Sequence, residues 1–261
     1  MNKLRSVGRA AITAIVALAA WQVIVSLTGA PAYVLPSPAR VAVAWVTRSG
    51  YLLDNALVTA TEIVAGLLIG GTLGIVSALA VATLAPARRW LMPVLVVSQA
   101  VPVFALAPIL VLWFGYGMAS KIAMATLIIY FPVAAAFLDG LRRTEPGWLD
   151  MARVMTGNAR PWAVVRYVRV PAALPALASG LRVAAAVAPI GAVIGEWVGS
   201  GAGLGYAMLH ANGRMQTDLM FAALATLAVL ALAVYYGVDW ALRRAISWQP
   251  DSAAIFDQQG S

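Results

Sequence analysis

An all-α membrane protein with about six transmembrane helices is predicted by three observations. Hydrophobic residues make up 62% of the chain and charged residues only 11%, and the mean hydropathy of +0.86 exceeds what a water-soluble domain of 261 residues carries without aggregating. The apolar residues gather in runs of about 20 or more, the length at which a helix crosses the hydrocarbon core with its backbone polar groups satisfied internally. The arginines fall between those runs, where loop charge sets orientation.

Six segments meet this description, and each carries its own signals. The first, Ala10 to Leu27, follows Lys3, Arg5 and Arg9 and precedes the small-residue stretch "GAPA". A cleaved secretory signal has that layout, but cleavage would leave an odd number of spans and reverse the charge bias, so a retained helix is expected. The second, Ala56 to Leu84, contains "GLLIGGTLG", in which Gly66, Gly70 and Gly74 recur every fourth residue and admit a second helix closely. Packing inside one subunit is expected there, a dimer seam being the other reading. Leu91 to Phe114 is the third and holds Pro93, Pro102 and Pro108; Pro132 and Pro189 are expected to interrupt the fourth, Ile122 to Leu141, and the fifth, Ala172 to Val198. Broken helices at membrane depth belong where protein or a water-filled path covers them, which makes Pro102 and Pro108 candidate pathway residues. The sixth runs from Leu219 to Ala241. One transmembrane domain over residues 1–245 is expected, with a short cytoplasmic tail at 246–261.

With the N-terminus inside, 13 basic residues lie in cytoplasmic segments, and Arg40, Arg48, Lys121 and Arg214 lie outside. The positive-inside rule then places both termini in the cytoplasm. The long loop at about 142–171 is cytoplasmic as well.

That loop is charged in an oily chain. Trp148, Met151, Ala152 and Met155 sit at i, i+3, i+4 and i+7 and form an apolar stripe on a short helix, with Asp150 and Arg153 pointing elsewhere. Gly157 and Asn158 supply a stop, and Pro161 fits the first turn of the next helix. Composition alone does not separate a docking helix from one lying in the headgroups. The order Asp150, Ala152, Gly157, Val170 and Pro171 resembles the EAA loop of ABC importer permeases, with Asp150 in place of the usual Glu, Met151 in place of Ala, and a spacing to Pro171 about two residues longer. "VPVFALAPILVLWFGYG" from Val101 and "GEWVGSGAGLGYAM" from Gly195 look like the third span and the last inter-span loop of the permeases for sulfonates, taurine, nitrate and thiamine-precursor pyrimidines. The resemblance implies a non-catalytic subunit of a bacterial inner-membrane importer. The Trp148 to Gly157 helix would couple it to cytoplasmic ATP-binding subunits, a second permease copy, in a homodimer, would enclose the path, and an extracytoplasmic solute-binding protein would deliver solute. Within that group, Leu181 to Leu224 looks most like the permeases for hydroxymethylpyrimidine-type thiamine precursors, sulfonate, taurine or nitrate being the alternative solutes.

A P-loop needs G-x-x-x-x-G-K-[ST], and neither Lys3 nor Lys121, the two lysines, follows a glycine. Energy for pumping must therefore enter through another protein. Glu62, Arg182, Glu196 and Asp239 lie in or beside the spans, where a charge costs at least about 2.5–3.5 kcal/mol and must face protein. Asp239 is expected to pair with Arg243, and Arg182 to snorkel or find a carboxylate. Glu196 opens the glycine-rich loop, either lining the outer mouth or bracing the loop; His210 and Arg214 follow on the same side and could meet solute or a docked protein. Arg182 is the one cation read as well inside a span, which favours a neutral ring compound over an anion. A secondary transporter should show paired coupling carboxylates near the midplane, and none is evident in the sequence. The absence of cysteine and the single histidine leave no metal site to expect, no cofactor is expected, and no basic face with interleaved aromatics suggests nucleic acid.

Overall fold

The computed structural model describes residues 2–156 and 161–248, and the described residues are helical with short connections. In chain order the helices are α1 (Asn2–Thr28), α2 (Pro38–Thr47), α3 (Ser49–Thr83), α4 (Ala85–Ala100), α5 (Ala107–Phe114), α6 (Met118–Arg142), α7 (Pro146–Thr156), α8 (Pro161–Val164), α9 (Val170–Gly199), α10 (Leu204–Gly213) and α11 (Thr217–Ala245). A 3-10 turn, Val103–Leu106, precedes α5, and a π-helical turn, Val165–Arg169, joins α8 to α9. Four stretches are long and apolar enough to cross a membrane: Ser49–Thr83, Met118–Arg142, Trp162–Gly199 and Thr217–Ala245. Ile12–Thr28 and Val103–Phe114 are apolar but shorter.

The chain divides into two compact units. The larger comprises residues 60–200 and 230–261, and its axis is α6. Glycines let two helices reach the α6 backbone. A methyl group at Gly66 would lie 2.7 Å from Ala125 Cβ, one at Gly70 2.9 Å from the Thr126 carbonyl oxygen, and one at Gly74 3.0 Å from that of Tyr130. The repeat is thus an intramolecular seam. Its contacts advance in the same direction along both helices, so α3 and α6 run parallel, and the segment 84–117 must carry the chain back from one end of the pair to the other. On α9 the order is reversed: Gly180 meets Ala136, Gly191 meets Ala125 and Gly195 meets Lys121, so α9 is antiparallel to α6. Ile129, Val133, Phe137, Ala184 and Ala188 fill the space between, each at most 1% exposed.

The prolines act differently from expectation in two helices. Pro132 and Pro189 lie inside continuous α6 and α9 and do not interrupt them; in a packed bundle neighbouring helices tolerate the lost backbone bond. The third segment does break. Val101 is extended (φ −86°, ψ 118°) at the end of α4, as the residue before a proline tends to be, and Pro108 sits in the first turn of α5.

The smaller unit comprises residues 1–59 and 201–229. Trp21 stacks on Phe221 with ring centroids 5.5 Å apart, the Thr217 hydroxyl donates to the Ala32 carbonyl at 2.8 Å, and Trp45 Nε1 donates to Thr226 Oγ1 at 3.0 Å. Two helices here were not foreseen from the sequence. α2 starts at Ser37-Pro38, where the Ser37 side chain accepts from the Arg40 N–H, a capping signal with Pro in the first turn. α10 lies within what read as a glycine-rich loop, and Gly203, at φ 118°, supplies the sharp entry that a side chain would resist.

Candidate functional site

Charge buried among the helices is the first feature of functional weight. Lys121 near the start of α6 forms an ion pair with Glu62 of α3 and donates from Nζ to Ser200 Oγ at 3.1 Å. Glu196 of α9 acts electrostatically on Glu62. Glu62, Lys121 and Glu196 are 0%, 3% and 1% exposed. Close approach of α9 at Gly195, where a methyl would lie 3.1 Å from Lys121 Cα, brings these groups within reach of one another.

Three expectations change here. Lys121 is a buried residue of α6 and not a solvent-facing charge at the end of a span, whereas Arg40, Arg48 and Arg214, counted with it on the outer side, are exposed. Arg182 is therefore not the one cation among the spans, although Lys121 is neutralised where it sits. Glu196 lies inside α9, and the loop begins only after Gly199. Two carboxylates that stand 134 positions apart in the chain, Glu62 and Glu196, come close enough here to act on one another. One local signal pointed to it: Asn55, Thr59 and Glu62 stand at i, i+4 and i+7, one face of α3, and all three are buried.

Asn55 and Thr59 have their own task in the smaller unit. Asn55 Oδ1 accepts from the Gly203 N–H and Thr59 Oγ1 from the Leu204 N–H, both at 2.8 Å. They satisfy orphan donors at the start of α10. His210 lies on α10 stacked against Tyr206, ring centroids 5.1 Å apart, and both line a pocket of about 410 Å³ with Arg48, Tyr51 and Arg214.

Asp239 pairs with Arg243 as expected, and it is also the carboxylate that Arg182 finds. Its Oδ1 accepts from Arg182 Nε at 2.7 Å and its Oδ2 from Arg243 Nε at 2.8 Å. Pro102 and Pro108 are exposed on the chain surface.

The charged segment forms α7 as its spacing predicts. Asp150 pairs with Arg153 at 2.9 Å. Trp148, Met151 and Met155 are 51%, 61% and 79% exposed, and Ala152 is buried. This stripe forms one wall of an apolar groove of about 580 Å³, whose other wall includes Tyr167, Pro171 and Pro175 at the entry to α9 and Trp248 after α11. Gly157 lies outside the described residues; Pro161 does open a helix, α8.

A helix bundle that buries an ion-pair cluster within its spans and carries a charged amphipathic helix between two of them is a membrane transport component in class. Residues 66–247 match the family described as "Binding-protein-dependent transport system inner membrane component", and the chain belongs to this family. It is a permease subunit of an ABC importer for small solutes, and such subunits work with ATP-binding subunits and a binding protein. It is 54% identical over 88% of its length, and 94% of the relative's, to a probable ABC transporter permease protein of Haemophilus influenzae. A riboflavin transport system permease of Chloroflexus aurantiacus is 36% identical over 91% of this chain and 89% of its own. A formylaminopyrimidine transport permease of Halalkalibacterium halodurans is 32% identical over 81% of this chain and 84% of its own.

Proposed function

We propose that this permease imports a neutral, nitrogen-rich ring compound of the pyrimidine type, with α7 as the helix through which a separate ATPase drives it. Two copies enclose the path, each contributing six spans with both termini in the cytoplasm. The third span is the broken 84–117 segment, and its exposed Phe104, Trp113, Phe114 and Tyr116 suit contact with a second copy or lipid. Closure of the ATPase pair moves α7, and the rigid α6–α9 seam carries that movement into the spans as alternating access.

The observation that carries the coupling role is the exposure of an apolar stripe on a helix whose opposite face is charged. A helix of this kind docks by laying its anchors into a partner's groove. Replacing Met151 and Met155 with Asp should weaken ATPase docking about tenfold or more, as loss of interface anchors does, and lower solute-stimulated ATP hydrolysis without lowering membrane insertion. Unchanged hydrolysis in that variant rejects α7 as the docking element.

For the solute, support comes from the relatives named for riboflavin and formylaminopyrimidine, both heterocycles, and from the pairing of Lys121 with Glu62, which leaves it no free charge to offer an anion. Calorimetry on the cognate binding protein, with an aminopyrimidine, riboflavin, taurine and nitrate, tests this. Heat on the ring compounds alone is expected; heat on taurine or nitrate alone overturns the assignment and leaves the importer reading intact.

A further inference from the structure

Where α3 ends, α4 and α9 begin and α6 finishes, three arginines converge on one cavity. Arg88, Arg142 and Arg169 line a space of about 200 Å³ together with Val81, Ala82 and Leu141. No carboxylate is among its lining residues, and none of the three guanidiniums takes part in an ion pair among the described residues. Their hydrogen bonds are weak. Arg88 Nε donates to the Val81 carbonyl at 3.4 Å, and Arg142 donates from a terminal nitrogen to Met92 Sδ at 3.8 Å. Arg169 Nε is buried with no hydrogen-bond partner. A guanidinium nitrogen held out of water without an acceptor is costly, so a donor set of this kind calls for an acceptor from outside the chain.

We propose that this cavity holds the phosphate group of an anionic phospholipid. Three guanidiniums around a small space match a phosphate's charge and its several acceptor oxygens, and basic pockets between transmembrane helices are a known form of headgroup site. The depth is right for a headgroup. Arg88 stands at the junction of α3 with α4, flanked by exposed Leu84 and Trp90, and Trp162 lies exposed just ahead of Arg169; tryptophans at helix ends mark the membrane–water boundary. The wall of Val81, Ala82 and Leu141 is apolar, as the first carbons beyond a headgroup require. The π turn Val165–Arg169 sets where Arg169 points, since a π turn shifts the residues after it around the helix axis.

The test uses the full chain purified in detergent, with lipid affinity followed by native mass spectrometry and by the thermal midpoint. Phosphatidylglycerol should bind more tightly than phosphatidylcholine. The preference should fall about tenfold in Arg169→Gln and in Arg88→Gln, each of which removes one charge-assisted contact. Arg89→Gln removes the same charge one residue away, from a side chain that does not line the cavity, and should keep the preference. Because Arg88 is exposed, its variant remains informative even where Arg169→Gln fails to fold. Equal loss in Arg88→Gln and Arg89→Gln, or no preference for phosphatidylglycerol in the parent chain, overturns the proposal. So does an equal midpoint shift from inorganic phosphate, which would make the ligand a soluble ion. Loss of ATPase association in Arg88→Gln with lipid binding unchanged assigns the arginines to a protein partner and overturns it too.

Discussion

Lys121 is the residue on which the interior of the larger unit depends. It is the cation paired with Glu62, and Glu196 stands beside them, so its removal leaves two buried carboxylates without that cation. Lys121→Met should therefore cost about 3–5 kcal/mol, the usual penalty for breaking a buried pair, read as a drop in thermal midpoint in detergent. Glu62→Gln combined with Lys121→Met should recover part of that loss, since the stranded charge goes with its partner; a double variant less stable than Lys121→Met alone contradicts this account. Asp239→Asn should cost less, about 1 kcal/mol, because Arg182 and Arg243 are 31% and 58% exposed and can reach water or headgroups. Asp239 was legible in the sequence because Arg243 lies one helical turn away. Lys121 was not. Its partners stand on two other helices, and a short polar stretch, "GYGMASK", gives a lysine there the look of loop charge.

At the scale of the element, the seam between α3 and α6 rests on three glycines, and the neighbouring Gly71 provides the control. A methyl at Gly70 would meet the Thr126 carbonyl at 2.9 Å, whereas one at Gly71 would lie 3.6 Å from Leu181 Cδ2, an ordinary contact. Gly70→Ala should lower stability by about 1–3 kcal/mol through overpacking against backbone that cannot yield. Gly71→Ala should be neutral or slightly favourable, because alanine is the better helix former. Equal midpoints for the two variants would mean the seam is looser than described. The repeat of glycines was readable as a close-packing face, but its partner was not, since a stripe of small residues says how near another helix comes and nothing about which one. Length and hydropathy found α6, α9 and α11 to within a few residues, but α1 and α3 begin well ahead of the expected Ala10 and Ala56, at Asn2 and Ser49. They missed α2 and α10, which are short and set between glycines and prolines, and they overread Pro132 and Pro189, whose effect on a helix depends on neighbours that a sequence does not display.

For the whole molecule, orientation is the property that charge counting predicts and side-specific chemistry can check. The chain has no cysteine, so single cysteines at Ser49, Asn212 and Asn158 report cleanly. An impermeant thiol reagent added to intact cells should label the first two and spare Asn158; labelling of Asn158 reverses the topology. The parallel course of α3 and α6 has a further consequence, in the order of synthesis. The ridge of Gly66, Gly70 and Gly74 leaves the ribosome roughly sixty residues ahead of the stretch Ala125 to Ala134 that covers it. At about 5–20 residues per second that is an interval of several seconds. During that time α3 resides in the bilayer with its groove open to lipid or to the insertion machinery, and its glutamate has no lysine. A nascent chain arrested before Lys121 should therefore be recognised as incomplete and degraded, whereas one arrested after Ala134 should persist.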